Sequence, residues 1–232
     1  NLDLGTVNIE MGSDNSLGIE DVKVLLPFVN NRIQDIGGVE YGANVNDNSS
    51  GIHNIGVNLK AGSLGNISVA YAPNVANTTT AGGTDGDAYN TGNTQTASEA
   101  SISFRGSLGV PGLTVGVGYL EGNSSNNTFD DEEGLSYGAN YNFGQFTVGY
   151  HRIENDSAVV KTASVNTKAD LYGVAFKASD NLSVGVYQIK QERTNEGVTQ
   201  PELESTLISV GYALGTAKIQ YDFISADNYN NV

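Results

Sequence analysis

Cysteine and tryptophan are absent from the 232 residues, methionine occurs once and proline four times. Without cysteine there is no disulfide framework, no thiolate metal site and no thiol nucleophile. Basic residues are scarce. Only 11 Lys+Arg stand against 26 Asp+Glu, a formal net charge of −15, which argues against nucleic acid and makes cations the natural partners. Hydrophobic residues are 38% of the chain, few for a fold that must fill a dry core, and this suits a wet interior. No run of about 18 apolar residues occurs, which excludes a membrane-spanning helix. The longest apolar patch, Val22 to Val29, contains Lys23 and Pro27. The start carries no signal-peptide pattern, as expected of a mature or truncated chain. His53 and His151, the 2 histidines, have no paired ligand spacing; neither a metal nor another cofactor is expected.

What is present is an alternation of apolar, small and aromatic residues. It recurs as Val115-Gly116-Val117-Gly118-Tyr119, Phe146-Thr147-Val148-Gly149-Tyr150, Tyr172-Gly173-Val174-Ala175-Phe176, Val184-Gly185-Val186-Tyr187 and Val210-Gly211-Tyr212. A period of two over such lengths marks strands with one face in an apolar medium. About eleven strands can be read, near 6–12, 51–60, 66–72, 98–106, 113–120, 134–142, 145–153, 169–177, 182–190, 204–213 and 216–224. Tight turns fall at Leu4-Gly5, Ala61 to Gly65, Ser107 to Gly112, Phe143-Gly144, Ala178 to Asn181 and Leu214-Gly215. Long polar connections lie between them, near 13–50, 73–97, 121–133, 154–168 and 191–203. This strict short–long order points to an all-β, antiparallel up-and-down transmembrane barrel rather than a sandwich.

Side-chain parity sharpens the choice. Ile55, Val57 and Leu59 share a face opposite Asn54, Gly56 and Asn58, and Ile219, Tyr221 and Phe223 oppose Lys218, Gln220 and Asp222. A sandwich would bury the apolar face, whereas a barrel would turn it to lipid, and alternation alone fits both. The aromatic positions favour lipid. Phe104, Tyr141, Phe176 and Tyr212 precede tight turns, while Tyr71, Tyr119, Tyr150, Tyr221 and Phe223 lie toward the long loops. Two rings at two rims are what the membrane interfaces select. Parity breaks near Arg152 and Tyr187, where bulges are expected.

The strand count is odd, whereas bacterial barrels of this kind are even. A turn at Leu4-Gly5 calls for a strand before Asn1, and Ser225 to Val232 shows no return strand. The sequence is therefore expected to be a fragment of a longer polypeptide.

The strand Gly5 to Gly12, followed by a loop with Asp14, Asn15, Ser16, Leu17, Gly18 and Asp21, resembles the general diffusion porins of Gram-negative bacteria, and the alphaproteobacterial type in particular. The Val-Gly-Val-Gly-Tyr strands and Leu-Gly turns are similar to that family over most of the chain. The resemblance implies a homotrimer integral to the outer membrane, in contact with lipid and lipopolysaccharide. Each barrel would have sixteen strands around an aqueous channel, with residues 1–232 a partial copy of that single domain and 13–50 the inward-folded third loop that narrows the channel. Within 13–50, Ile19, Val22, Leu25, Leu26 and Val29 can pack on a wall while Asp14, Glu20, Asp21, Asp35 and Glu40 remain available to water. The resemblance sets those loop acids against wall bases, for which parity offers Lys60, Arg105, Lys177 and Lys218. Pairing with neighbouring acids or a place at the periplasmic mouth is the alternative for each base. Small hydrophilic solutes and cations would pass, with mild cation selectivity from the acid excess.

Other signals are weaker. Asp130-Asp131-Glu132-Glu133 reads as a solvated acidic loop rather than a calcium site, and Ala81 to Asp87 is a glycine–aspartate stretch that does not repeat. No GxSxG, phosphate loop or HExxH occurs, so no enzyme is expected; a rim hydrolase would have to use His151 with Ser136 or Ser157. The competing readings are an extracellular β-sandwich adhesin and a substrate-specific channel. The latter would need an aromatic ladder starting from Tyr187.

Overall fold

The computed structural model describes residues 2–3, 6–12, 17–22, 25–30, 54–72, 96–124, 131–156, 165–195 and 197–227. Its strands are β1 (Leu2–Asp3), β2 (Val7–Gly12), β3 (Asn54–Lys60), β4 (Asn66–Ala72), β5 (Thr96–Gly106), β6 (Leu113–Ser124), β7 (Glu132–Phe143), β8 (Phe146–Asp156), β9 (Val165–Lys177), β10 (Leu182–Asn195), β11 (Val198–Thr199), β12 (Leu203–Leu214) and β13 (Ala217–Asp227). All belong to one antiparallel sheet that follows chain order, with β11 off the path as a short partner of β10. Consecutive pairing of this kind is an up-and-down meander. Leu2 and Asp3 form the short strand β1, which pairs with β2 through Leu2↔Ile9.

Tight turns close the hairpins where glycine was expected to relieve the backbone. Gly144, between the paired Phe143 and Phe146, has φ +78°, and Gly215, between Leu214 and Ala217, has φ +61°. Both lie in the left-handed region that two-residue hairpin turns require. The Leu4-Gly5 turn falls outside the described residues.

The sheet has two chemically distinct faces. Ile102, Val117, Tyr119, Val148, Val174, Val186 and Ile208 point to one side and are exposed, Ile102 at 50%. Their strand neighbours Ser101, Ser103, Gly116, Gly118, Gly173 and Ser209 point to the other and are buried. The adhesin reading required the apolar face to be covered by a second layer. Among the described residues no such layer exists, and that face is bare. Its aromatic side chains form rows: Tyr141, Phe143, Phe146 and Phe176 stack in sequence along the tight-turn rim at centroid spacings of 6.1, 5.8 and 4.6 Å. Tyr150 and Tyr172 face each other at 5.3 Å further along.

Beyond Tyr150 and Tyr172 the pattern inverts. The outer positions become charged: Arg152 pairs with Asp170 at 2.8 Å and Glu154 at 2.7 Å, and Lys190 with Glu204 at 2.7 Å. The inner positions become aliphatic, with Leu120, Ile153, Leu171, Ile189, Leu203 and Leu207 all buried. Register runs unbroken through Tyr137↔Arg152↔Asp170 and Gly173↔Tyr187↔Leu207. The bulges expected at Arg152 and Tyr187 are therefore absent; the chemistry of the two faces exchanges there while the backbone pairing continues. Among the described residues the register shifts between Thr96 and Ser98. The same inversion explains why β10 continues to Asn195, and β9 begins at Val165, in stretches read from sequence as loops.

Candidate pore constriction

The segment after β2 lies along the inner face as a strap. It begins at Gly18, whose φ of +68° and lack of a side chain let the backbone settle against Ala70 and Ser101. Residues Gly18–Val22 make a 3₁₀ turn, and 25–30 continue across the sheet. The wall supplies donors for the strap's carbonyl groups in order along the sheet. Ser103 Oγ donates to Gly18 O at 2.6 Å, Arg105 Nη1 to Asp21 O at 3.0 Å and Ser136 Oγ to Val22 O at 2.8 Å. Asn140 Nδ2 then donates to Leu25 O at 2.8 Å, Tyr187 Oη to Pro27 O at 2.9 Å and Lys218 Nζ to Val29 O at 3.0 Å. Tyr187 Oη also accepts from Val29 N–H at 2.8 Å, and Asn30 Nδ2 reaches Val210 O and Asp222 Oδ1, both at 3.0 Å.

Apolar packing follows the same line. Ile19, Val22, Leu25 and Leu26 are buried on the wall, and glycines make room for them. A Cβ on Gly118 would lie 2.5 Å from Val22 Cγ2, and one on Gly116 2.7 Å from Leu25 Cδ1. Each buried aliphatic side chain contributes roughly 1.5–3 kcal/mol and each hydrogen bond about 1 kcal/mol. A strap held by both is a fixed part of the wall. The packing residues read from sequence are thus placed on the wall, with Val29 half-buried against Gly211.

Of the acids expected in this segment, Glu20 and Asp21 sit half-buried on the 3₁₀ turn. Asp14, Asp35 and Glu40 lie outside the described residues. Burial pushes the Asp21 carboxyl above its ordinary range, and the Arg105 guanidinium opposes this. Arg105 lies beside Asp21, and its hydrogen bond is to the main-chain carbonyl rather than the carboxylate. Lys60 and Arg105 share a cross-strand row with Asn66 between them. Lys60 is exposed and forms no ion pair among the described residues. Lys177 is at the tight-turn rim with Asp180 at 3.1 Å, the pairing alternative. Lys218 stands on the far side of the sheet and binds the strap.

Sequence reasoning missed Ser136, Asn140 and Tyr187 as anchors. The break in parity at Tyr187 was the available signal. That residue is 1% exposed beneath the strap, its ring 4.9 Å from Phe28, so it cannot begin an aromatic ladder for solutes. Glu132, read as part of a solvated acidic run, instead points inward and is buried, while Glu133 is outward and exposed.

Ser136 Oγ and His151 Nε2 are 2.9 Å apart, the pairing a rim hydrolase would need. The protons run the wrong way for it. The Ser136 hydroxyl hydrogen is given to Val22 O, so Oγ accepts from Nε2–H, and the other ring nitrogen, Nδ1, is buried without a partner. A general base would have to accept from the serine and be oriented by an acid. The pair is an anchor for the strap.

A chain-order antiparallel sheet, apolar outside and strapped inside, defines the fold of the outer-membrane β-barrel channels. Solved structures agree. The outer membrane channel DcaP of Acinetobacter baumannii superposes with a TM-score of 0.65 at 8% identity, over 95% of this chain and 65% of that one. OmpT of Vibrio cholerae gives 0.58 at 9% identity, over 96% and 67%. A porin refined at 1.8 Å gives 0.58 at 17% identity, over 94% and 72%. The chain thus spans about two thirds of the length of these channels. No family model and no curated sequence matches it.

Proposed function

We propose that the protein is an integral outer-membrane porin whose water-filled channel passes small hydrophilic solutes and ions by diffusion. The carrying observation is the orientation of the sheet, with Ile102, Val117, Val174 and Val186 bare on the outside and a hydrogen-bonded strap on the inside. Lipid can cover the first and water the rest of the second. In this reading the strap is the constriction loop, spanning 13–50. Glu20 and Asp21 set its acidic edge, together with Asp14, Asp35 and Glu40, and Lys60, Arg105 and Lys218 set the opposing edge, with Lys177 at the mouth. The charged rows beyond Tyr150 and Tyr172 would meet lipopolysaccharide head groups. A homotrimer is the proposed assembly, in keeping with the trimer form of Vibrio cholerae OmpT, 11% identical to this chain. Diffusion needs neither catalysis nor a cofactor.

Planar-bilayer recording tests the proposal. Discrete conductance steps are expected, with a reversal potential in a salt gradient that favours cations; anion preference would overturn the selectivity, and absence of steps the porin reading. The lipid-facing side is tested separately. Val174→Arg should destabilise the folded protein in bilayers by about 2–4 kcal/mol, falling toward zero if the position lies near an interface. Equilibrium denaturation in liposomes measures it, with Lys60→Arg on the inner face expected to be neutral.

A further inference from the structure

The outward apolar face does not have the same height on every strand. On β7 it runs through Phe143, Tyr141, Ala139, Tyr137 and Leu135, and charge begins only at Glu133. On β8, beyond the same tight turn, it runs through Phe146, Val148 and Tyr150 and ends at Arg152. The two strands pair residue for residue, so Tyr137 stands opposite Arg152 and Leu135 opposite Glu154. In those rows β6 sides with β7, its outward residues being Val117 and Tyr119. The strands on the other side continue the charge, through Asp170 on β9, Lys190 on β10 and Glu204 on β12. At ~3.4 Å per residue and a tilt of roughly 40°, the apolar stretch is about 20 Å tall on β7 and about 10 Å on β8 and β9. Tilt moves neighbouring strands by only about 3 Å in height, which is too little to absorb the difference. A barrel's lipid band is about 25 Å tall, and β8 and β9 supply less than half of it.

The charged row is closed within the chain. Arg152 pairs with Asp170 at 2.8 Å and Glu154 at 2.7 Å, and Lys190 with Glu204 at 2.7 Å. Tyr150 Oη donates to Asp170 Oδ1 below them. Each of these ionic side chains still keeps part of its surface open, 25% for Arg152 and 40% for Glu204. A dry protein face laid over them would strip that hydration at a cost their pairing does not repay. Hydrocarbon would strip it with nothing in exchange. A hydrated head-group layer leaves it in place. We propose that the membrane is pinched along β8 to β10, its head-group boundary stepping down at the β7–β8 seam to lie on the row of Arg152, Asp170 and Lys190. A bilayer accommodates a short apolar span by thinning beside it. The pinch rests on the outer-membrane reading of the sheet and is independent of what the channel passes.

Single cysteines in the full-length protein test it, since this chain contributes none. Leu135→Cys on β7 and Gln188→Cys, outward on β10 one position below Lys190 in that face's order, are compared in dioleoyl and dilauroyl phosphatidylcholine vesicles. Glu133→Cys serves as the water-exposed reference and Val174→Cys as the lipid-buried one. The rate of modification by a charged methanethiosulfonate reagent is read by mass. In the thicker dioleoyl bilayer Gln188→Cys should label nearly as fast as Glu133→Cys, and Leu135→Cys about tenfold slower. In the thinner dilauroyl bilayer the two should converge on the reference. Gln188→Cys as slow as Leu135→Cys in dioleoyl vesicles would overturn the pinch, as would Leu135→Cys as fast as the reference there. Gln188→Cys slow in both lipids but fast in detergent-dissociated monomers would put a second copy of the chain on this face instead. Fast labelling of Val174→Cys in both lipids would sink the outer-membrane reading itself, whereas a protected Val174→Cys confines any failure to the pinch.

Discussion

Tyr187→Phe is expected to yield a channel that folds normally but conducts more, with greater current noise. The substitution removes one oxygen. The ring keeps its contact with Phe28 at 4.9 Å and its place over Gly173 and Gly185. The oxygen, however, gives a hydrogen bond to Pro27 O at 2.9 Å and takes one from Val29 N–H at 2.8 Å. Removing it leaves a donor and an acceptor of the strap without their partner. Each such group costs about 1–3 kcal/mol when water cannot reach it. The loss falls on the seat of the strap, not on the β-ladder, so heat-modifiable mobility in gels should match the parent while mean conductance rises by roughly half. Tyr212→Phe is the control, because that ring is outward and exposed. Conductance and noise equal to the parent's would show that Tyr187 does not seat the strap.

How much of this was legible in the sequence depends on the level in the barrel. Between the aromatic rows, alternation states which face meets lipid. Val115, Val117 and Tyr119 must share a side, and their glycine neighbours must share the other. Beyond Tyr150 and Tyr172, the same period continues with its chemistry reversed, as in Arg152-Ile153-Glu154. A reading keyed to apolar-outward residues ends the strand there or invents a bulge. The backbone does neither, because strand pairing is indifferent to which face is greasy, and the medium alone decides it. The strap shows a similar division. The aliphatic run Val22 to Val29 announces that something must cover it, and parity puts Arg105 and Lys218 on the inner face. That both donate to main-chain carbonyl groups of the strap is beyond any residue pattern, since every residue carries the same carbonyl. Ser103, Ser136 and Asn140 were invisible for the same reason: small polar residues facing a channel look alike whether they bind water or backbone.

Gly118→Leu is expected to have the largest effect on the channel with the least on the barrel. A Cβ at this position would stand 2.5 Å from Val22 Cγ2 and 3.0 Å from Ile19 Cγ1, with Ser103 Cβ at 3.3 Å behind. Leucine adds three further carbons in a space already filled, and overpacking of this kind costs about 1–3 kcal/mol before anything moves. The strap is the element able to yield, since β5, β6 and β7 are tied by continuous ladders from Phe104↔Val117 to Val117↔Tyr137. Lifting it exposes Ile19 and Val22, at roughly 1.5–3 kcal/mol each, and breaks the bonds to Gly18 O and Val22 O. Asp21 then leaves its place beside Arg105, so conductance should rise about twofold and ion preference should weaken together. Val117→Leu, one residue away on the outward face and 47% exposed, should change neither. A Gly118→Leu channel with the parent's conductance and reversal potential would mean that the strap does not lie against β6, and that whatever narrows the channel is elsewhere.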